Sequence, residues 1–510
     1  MSSLTAEASA LGWGLLLSCA GCSLSKNEPA GARPAGSLDE RAAQAAQSRA
    51  DLPRASAPDG TTPIASATAA VAPLVASAAA AASAHPIDPA GQTHDADAPR
   101  VYAKSRFVWI RPEPDGSKEW IGYLWTGGSV KLRHKKPVYG PGCMEWYAVE
   151  PRGFVCVDGM HATLDPNDAT YRALLPYAPN LSSPWPHLYA ESLGLDREPL
   201  ELHSPPAFPA MALGVHEPHP HLPRRSTVAY SRELMFDAQP YLLSADFTWI
   251  PKASVKPYPE ITFHGVKLGS EAKLPLAFFR GKDRPVYTRD DAGEFVQGDG
   301  TFPRLGFVEL SGESALSGKD RYFRTRDGQR WLKQSDAVMP TPAVATPWGA
   351  AVGEPDTSGR APKGRATWLE ISVGQGTLIA YEDTTPVFTT LIAPGRGGGG
   401  LPDEDLIPHA LTPLGTFPIS GKFATATMEA PGEFIHSDVP WTQNFSGPYA
   451  VHAAYWHDDW GTLKSGGCVN VSPIDGRTLF EFTEPALPPG WHGVRWLPWL
   501  GASTLVVVHK

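Results

Sequence analysis

Apolar and polar residues alternate along the C-terminal part of the chain. In residues 369–373, leucine, isoleucine and valine are separated by Glu370 and Ser372, which is the two-residue period of a β-strand with one covered face. Two further apolar segments, 377–381 and 387–392, follow after turn-like breaks. The pattern predicts successive strands of a β-rich domain.

A helix start follows this β-rich stretch. Ser472 and Pro473 have the residue types of an N-cap and a first helical position, and Asp475 places an acid in the first turn. Leu479 and Phe480 are then available for burial. We expect a helix that begins near residue 473, preceded by a strand-to-helix loop.

The upstream region has recurring tryptophans. They are irregularly spaced and most stand beside an apolar residue, at Trp120, Trp146, Trp249 and Trp331. Residues 146–149 and 154–157 flank the turn-like segment 151–153 and predict a hairpin. This hairpin resembles part of the small SH3-like barrels of bacterial envelope proteins, which implies wall binding. The better-supported interpretation is that the tryptophans are core residues.

Length and composition indicate several domains. The chain has 510 residues, of which 42% are hydrophobic, and one domain usually takes ~100–200 residues. Its net charge of −9 offers no basic surface for nucleic acid. The 52 prolines and 49 glycines favour short strands, turns and a disordered linker. The glycine-rich segment 395–409 lacks the Gly-Lys-Ser/Thr ending of a phosphate loop, so we expect a mobile surface loop.

The N-terminal residues predict export and a tether. Residues 1–22 contain an apolar run, small residues and a cysteine, and look like a lipoprotein signal segment. Cys22 and Cys19 are the two candidates for lipidation, and a plain cleaved signal peptide is the alternative. Residues 23–99 contain no aromatic residue and are rich in alanine, proline and serine, so they should form a disordered linker.

The other cysteines divide into a pair and a single residue. Cys143 and Cys156 flank the predicted hairpin, which would bring them together, and a disulfide fits an exported protein. Cys468 is then left over. An odd cysteine in an exported protein is often a reactive thiol.

Cys468 has a plausible base nearby in the sequence. His452 precedes it by sixteen residues, and Ser465, Gly466 and Gly467 form a tight turn directly before it. A thiol with a pKa of about 8.5 is mostly protonated at neutral pH, so an imidazole that takes the proton activates it. The two glycines leave the backbone free to point amide groups at a developing oxyanion. The pattern predicts acyl transfer.

These residues resemble the signature of the YkuD family, the L,D-transpeptidases of bacterial cell walls. The family has a histidine, a variable spacer and Ser/Thr-His-Gly-Cys, followed by an apolar residue and Asn or Arg. The resemblance covers residues 365–500, where segment 412–419 looks like the family's Thr-Pro-x-Gly-x-Phe motif and segment 439–442 is similar to one bacterial subgroup. Gly466 stands where most members have histidine, and His457 is the candidate to replace that support.

The resemblance implies a C-terminal β-sandwich or barrel that acts on peptidoglycan. Cys468 would attack the third residue of a donor tetrapeptide stem, expel D-Ala and form a thioester, which the amine of an acceptor stem or of a protein to be anchored then resolves. His452 would be the base, with His457, Asn470 and Tyr449 as candidate supports. No metal or organic cofactor is required. Hydrolysis at the same site would give an L,D-carboxypeptidase or L,D-endopeptidase.

Other classes of site account less well for these residues. The groups available to a zinc ion are His436, His452, His457 and Asp458. They lack a Cys-x-x-Cys or His-Glu-x-x-His frame. A papain-like peptidase would place its cysteine before its histidine, which is the reverse of the order here. A non-catalytic wall-binding protein with a decayed site stays open, with Gly466 as the sign of decay.

The sequence therefore predicts a mainly β protein of the periplasmic cell envelope, held at the membrane by a lipid anchor only. Its predicted parts are a lipoprotein-like segment at 1–22, a disordered linker at 23–99, an SH3-like module at 100–185, further β-rich modules at 186–345 and an L,D-transpeptidase catalytic domain at 365–500.

Overall fold

The computed structural model of the protein describes most of the chain from residue 98 onward. The described residues are 17–18, 98–193, 200–201, 221–222, 226–236, 238–245, 249–402, 404–430 and 434–510. Cys19, Cys22 and nearly all of the predicted signal segment and linker lie outside them. No helix within these ranges is long and apolar enough to cross a membrane.

The first β-rich region covers residues 98–165. Following β1 (Leu17–Ser18), its strands are β2 (Arg100–Ala103), β3 (Val108–Arg111), β4 (Gly122–Leu124), β5 (Ser129–Lys131), β6 (Val138–Gly140), β7 (Cys143–Ala148), β8 (Phe154–Cys156) and β9 (Ala162–Thr163). The expected hairpin is formed by β7 and β8, with Trp146 opposite Cys156. Cys143 and Cys156 form a disulfide, with their Cα atoms 5.9 Å apart.

A short helix and a second group of strands follow. The elements are α1 (Ala169–Leu174), β10 (Leu188–Ser192), β11 (Leu200–Glu201), β12 (His221–Leu222), β13 (Thr227–Phe236), β14 (Gln239–Ser244), β15 (Trp249–Pro251) and β16 (Val255–Pro257). Asp168 caps α1, because its side chain accepts a hydrogen bond from the Tyr171 amide.

Except for its first strand, the third group forms an antiparallel sheet of its own. The strands are β17 (Val266–Lys267), β18 (Leu276–Phe278), β19 (Arg284–Arg289), β20 (Phe295–Phe302), β21 (Phe307–Ser317), β22 (Asp320–Thr325) and β23 (Trp331–Lys333). The order β18-β21-β22-β23-β19-β20 defines this sheet. Trp331 and Trp146 are buried, at 5% and 3% exposure, as core tryptophans should be, whereas Trp120 is only half-buried.

The C-terminal group contains the remaining elements. They are β24 (Thr367–Ser372), β25 (Thr377–Glu382), β26 (Thr385–Leu391), β27 (Gly399–Gly400), β28 (Thr412–Pro413), β29 (Gly415–Pro418), β30 (Gly421–Ala430), β31 (Phe434–Ser446), β32 (Tyr449–Ala453), β33 (Val469–Val471), α2 (Pro473–Phe482), β34 (Gly493–Arg495) and β35 (Leu505–His509). The expected helix is present: Ser472 is its N-cap and accepts from the Asp475 amide at 3.1 Å.

Two sheets enclose the C-terminal core. One has the order β17-β26-β25-β24-β35-β29, and the other contains β30 to β33. Leu369, Val451 and Leu479 are fully buried in this core, so both sheets and α2 contribute to it. The expected mainly β fold, with a C-terminal domain built from packed β-sheets, is confirmed. The SH3-like modules and the domain boundaries stay predictions.

The large sheet extends from the C-terminal group into the first region. In it, β34 pairs with both β30 and β4, and β4 pairs with β3. Upstream strands therefore continue the sheet that carries β30 to β33.

The glycine-rich segment is more firmly held than expected. Gly395 N donates to Thr412 Oγ1 at 2.8 Å, and Arg396 N donates to Ser465 O at 2.9 Å. Its β27 pairs in parallel with β28. Backbone hydrogen bonds thus hold residues 395–400 against residue 465, and the mobility expected for segment 395–409 stays a prediction.

Candidate active site

Two parallel strands bring the candidate base and nucleophile to one face. In the pairing of β32 with β33, Val451 lies opposite Val469 and His452 opposite Asn470. Successive side chains along a strand point to opposite faces, so Cys468, directly before β33 and two residues before Asn470, shares the face of His452. Strand spacing and rise place the Cα atoms of His452 and Cys468 about 8 Å apart.

Both side chains line one cavity of about 190 Å³. Cys468 is 3% exposed and His452 2% exposed. Cys468 is not in a disulfide, and its thiol donates a long hydrogen bond of 3.9 Å to Pro448 O. The thiol is thus largely buried at the wall of this cavity.

A backbone carbonyl fixes the tautomer of His452. Its Nδ1 lies 3.2 Å from Ala453 O. A carbonyl oxygen can only accept, so Nδ1 carries the proton and Nε2 keeps a lone pair. Burial lowers the pKa of His452 to about 4. The ring is therefore neutral at neutral pH and can take a proton at Nε2.

Hydrogen bonds hold the turn before Cys468 in one shape. Ser465 Oγ accepts from Gly467 N at 3.0 Å and donates to Cys468 O. Ser465 N in turn donates to Pro394 O at 3.0 Å. The Gly467 amide is thus already engaged by Ser465, and an oxyanion role for it requires that this bond be exchanged.

These features agree with what the family comparison finds. Residues 366–490 match the YkuD family, the L,D-transpeptidase catalytic domain. The matched region contains both His452 and Cys468, and the resemblance stated from the sequence is confirmed. No curated protein matches the chain at a significant level.

Several solved L,D-transpeptidase structures are similar to parts of the chain. A cysteine-to-serine mutant of the Enterococcus faecium enzyme is 21% identical, with 28% of this chain and 49% of that chain covered and a TM-score of 0.21. The E. faecium catalytic domain is 20% identical over 29% of this chain and 99% of that domain, with a TM-score of 0.21. A Mycobacterium tuberculosis L,D-transpeptidase is 17% identical over 40% and 77%, with a TM-score of 0.21. The chain thus spans about half the length of the first of these, at 49%.

The two glycines of the turn before Cys468 differ in the space around them. Gly467 has a φ of +128°, and an added Cβ would lie 2.6 Å from the ring of Tyr449, so only glycine fits there. An added Cβ at Gly466 meets no heavy atom within 4 Å. Open space therefore remains at the position where most family members have histidine.

His457 reaches the site through Asn470. Asn470 Nδ2 and His457 Nε2 are placed 3.1 Å apart, and Asp459 N donates to His457 Nδ1. Burial lowers the pKa of His457 to about 4, so the ring is neutral and its one proton must be on Nε2. That proton needs an acceptor, so the Asn470 amide oxygen faces the ring.

This orientation leaves a donor beside the thiol. The other end of the Asn470 amide is buried and has no hydrogen-bond partner among the described residues. With the oxygen facing His457, that end is the NH₂ group. Asn470 also lines the thiol cavity, so its amide can donate to an oxygen of a bound substrate.

Sequence reasoning missed several residues of the cavity. Its wall also includes Arg396, Lys464 and Trp456. Two sequence signals could have indicated these cations. Arg396 is the one arginine or lysine of the glycine-rich segment, and Lys464 directly precedes the turn. Lys464 Nζ pairs with Asp459 Oδ2 at 2.5 Å, whereas Arg396 adds a positive charge to the cavity wall that suits an anionic group of a substrate.

The residues considered for a zinc ion have other contacts. Within the described ranges, no three His, Cys, Asp or Glu side chains converge as metal ligands. His436, one of its expected ligands, instead stacks on Trp456 with ring centroids 4.4 Å apart. Burial lowers the pKa of His436 to about 3.

Proposed function

We propose that this protein is a cysteine-dependent peptidoglycan L,D-transpeptidase. The observation that carries the proposal is the common face and cavity of Cys468 and His452, with His452 Nε2 left available by the bond from Nδ1 to Ala453 O. The family match over residues 366–490 supports the reaction class.

The first half-reaction forms a thioester. Cys468 Sγ loses its proton to His452 Nε2 and attacks the carbonyl carbon of the third residue of a donor tetrapeptide stem. The C–N bond to the terminal D-Ala breaks, and the imidazolium returns the proton to the leaving amine. Arg396, which lines the same cavity, suits the carboxylate of that D-Ala. The Cys468 and Gly467 amides and the Asn470 amide are the candidate donors to the oxyanion.

The second half-reaction transfers the acyl group. The side-chain amine of an acceptor stem, or of a protein to be anchored, attacks the thioester carbonyl and loses a proton to His452 Nε2. The C–S bond breaks, and the thiolate regains that proton. Water in place of the amine would give an L,D-carboxypeptidase. Export, periplasmic location and lipid anchoring through Cys19 or Cys22 belong to the same proposal.

Intact-mass analysis of the full chain tests the proposal. The protein is incubated with a carbapenem and, separately, with tetrapeptide stems, and the adduct is located by peptide mapping. We expect one covalent adduct on the Cys468 peptide, with release of D-Ala from the stem. Cys468→Ala should form none, and His452→Asn should form it far more slowly, by a factor of about 10²–10⁴.

The products separate the related activities. Cross-linked stem dimers support the transpeptidase, whereas tripeptides alone support the carboxypeptidase. A folded protein that forms no adduct and turns over no stem would favour the wall-binding alternative with a decayed site.

A further inference from the structure

A second and larger cavity lies beside the thiol cavity. It has a volume of about 740 Å³ and is lined by segments 258–264, 303–307 and 455–458. We call it the neighbouring cleft. Two of its three walls come from outside residues 366–490, the region that matches the family. The neighbouring cleft is therefore built largely by the upstream part of this chain.

Trp456 is the partition between the two cavities, since it lines both. On one side its ring stacks on His436 at 4.4 Å and lies 5.9 Å from the ring of His452. The next residue, His457, also lines the neighbouring cleft while it contacts Asn470 of the thiol cavity. A molecule in the neighbouring cleft is thus one side chain away from the candidate base.

An ion pair fixes one upstream wall to the catalytic wall. Arg304 Nη1 lies 2.9 Å from Asp458 Oδ2, and Arg304 Nη2 donates to Asp458 O at 2.8 Å. The Arg304 amide donates to Asp283 Oδ1 at 2.7 Å. Two bonds from the Arg304 guanidinium hold the 303–307 segment against the 455–458 segment, and the third ties the 303–307 segment to Asp283.

The other upstream wall is also fixed. Gly265 N, directly after segment 258–264, donates to the buried carboxyl of Asp475 at 2.8 Å. The ring of Phe263 stacks against that of Trp460, with centroids 6.1 Å apart. The neighbouring cleft is therefore preformed, as ligand-binding sites usually are.

The linings of the two cavities differ in charge. The thiol cavity is lined by the cations Arg396 and Lys464 and, within the described residues, by no carboxylate. The neighbouring cleft has the carboxylates of Glu260 and Asp458 together with Arg304. Its apolar wall consists of Tyr258, Ile261, Phe263, Leu305, Phe307 and Trp456. Because Arg304 and Asp458 pair with each other, the lining is complemented by a ligand with a peptide backbone and an amine that faces Glu260.

We propose that the neighbouring cleft binds the acceptor stem peptide and directs its side-chain amine past Trp456 to the thioester on Cys468. This inference rests on the proposed transpeptidase function and assigns the upstream segments a role in choosing the acceptor. The amine approaches along the side of Glu260. The donor stem occupies the cationic thiol cavity.

Separate measurement of the two half-reactions tests the assignment in the full chain. Glu260→Lys reverses a charge on the cleft wall, and Asp299→Lys makes the same change on an exposed residue of β20 outside it. We expect Glu260→Lys to raise the KM for a tripeptide stem with a free side-chain amine roughly tenfold. The rate of Cys468 acylation by donor should change by less than about twofold, and Asp299→Lys should alter neither step.

A second variant probes the apolar wall. Phe307 is 43% exposed, so Phe307→Ala should leave the fold intact and raise the KM for the acceptor about threefold. If either variant slows acylation by donor and leaves the acceptor step unchanged, the neighbouring cleft is a donor site and the proposal is wrong. An unchanged acceptor KM in both variants also overturns it.

Direct binding keeps this inference separate from the proposed function. The tripeptide stem is titrated into full-length Cys468→Ala, with and without Glu260→Lys, and heat of binding is recorded. Weaker binding in the double variant supports the assignment even where no turnover is found, which would refute only the transpeptidase chemistry. Two outcomes contradict the assignment. One is equal binding of the tripeptide stem by Cys468→Ala with and without Glu260→Lys. The other is binding of peptide-free glycan strands that Glu260→Lys abolishes.

Discussion

Arg106 of the first β-rich region forms a buried ion pair with Asp438 of β31. Arg106 Nη2 lies 3.0 Å from Asp438 Oδ2, and the two side chains are 7% and 0% exposed. Asp438 Oδ1 also accepts from Thr425 Oγ1 at 2.9 Å. Burial alone would raise the pKa of Asp438, but the Arg106 charge helps to bring that pKa below its usual range. The pair joins residues 332 positions apart.

Removal of the cation should be costly. Arg106→Met leaves the Asp438 carboxylate buried without its counter-ion, and we expect a loss of about 3–5 kcal/mol in the free energy of unfolding. Urea unfolding at pH 7 measures it. Arg330→Met, in a pair with Asp327 whose side chains are each 43% exposed, should cost about 1 kcal/mol or less. Adding Asp438→Asn to Arg106→Met should recover part of the loss, and no recovery would contradict this account.

The two turn glycines should respond in opposite ways to a side chain. Gly466→His has room for its Cβ, and an imidazole next to the thiol favours the thiolate. We expect this variant to keep the wild-type melting temperature and to be acylated faster by a carbapenem. A slower reaction in a folded variant would show that Gly466 is adapted to this site.

Gly467→Ala is the matched comparison. The positive φ of Gly467 and the nearby Tyr449 ring should make this substitution destabilising by about 1–2 kcal/mol or more. The thiol loop should shift and acylation should slow. Equal stability of Gly467→Ala and the wild-type protein in thermal unfolding would contradict the steric argument.

The pH profile of acylation should reflect a buried base. Burial lowers the pKa of His452 to about 4, whereas an exposed histidine titrates near 6.5. The base is therefore already neutral at pH 5.5, so the rate of carbapenem acylation should not fall between pH 7 and 5.5. It should decrease only as the pH approaches 4, which rapid-mixing pH jumps can follow. An inflection near 6.5 would show that the imidazole is solvated when the thiol reacts.

Local sequence signals predicted the elements next to the candidate site. The residue types at 472, 473 and 475 specify the start of α2, because a cap and a proline act within one turn. Alternation predicted β24, but with one exposed face. The structure buries Glu370 and Ser372 as well, since Glu370 accepts from the Tyr381 hydroxyl and from the Ala343 amide. When a segment distant in sequence buries the polar face of a strand, the alternation of residues within that strand does not reveal it.

The spacing of His452 and Cys468 indicated their common site because His452 lies in β32 and Cys468 directly precedes the adjacent β33. No spacing of residues in the sequence indicated the upstream walls of the neighbouring cleft. Arg304 reaches Asp458 across 154 positions, and Gly265 reaches Asp475 across 210. Contacts of this range depend on how whole sheets pack, and short motifs do not encode them.

His187 should make the protein less stable in acid. Neither of its ring nitrogens has a hydrogen-bond partner among the described residues, and burial lowers its pKa to about 4. Between about pH 6.5 and 4 the unfolded chain binds a proton at this residue that the native protein does not. The free energy of unfolding therefore decreases as the pH is lowered through this range. His187→Phe should remove about 2 kcal/mol of the loss between pH 7 and 5. Comparing the two pH values in urea unfolding cancels the packing cost of the larger ring.

His161 supplies a control of opposite sign. Its hydrogen bond to Asp158 raises the pKa of His161, so its contribution to stability is fully present below about pH 6.5 and is lost as the pH rises through the raised value. His161→Gln should therefore lower stability at pH 5 more than at pH 8. If His187→Phe and the wild-type protein lose the same free energy between pH 7 and 5, His187 is not buried as a neutral ring.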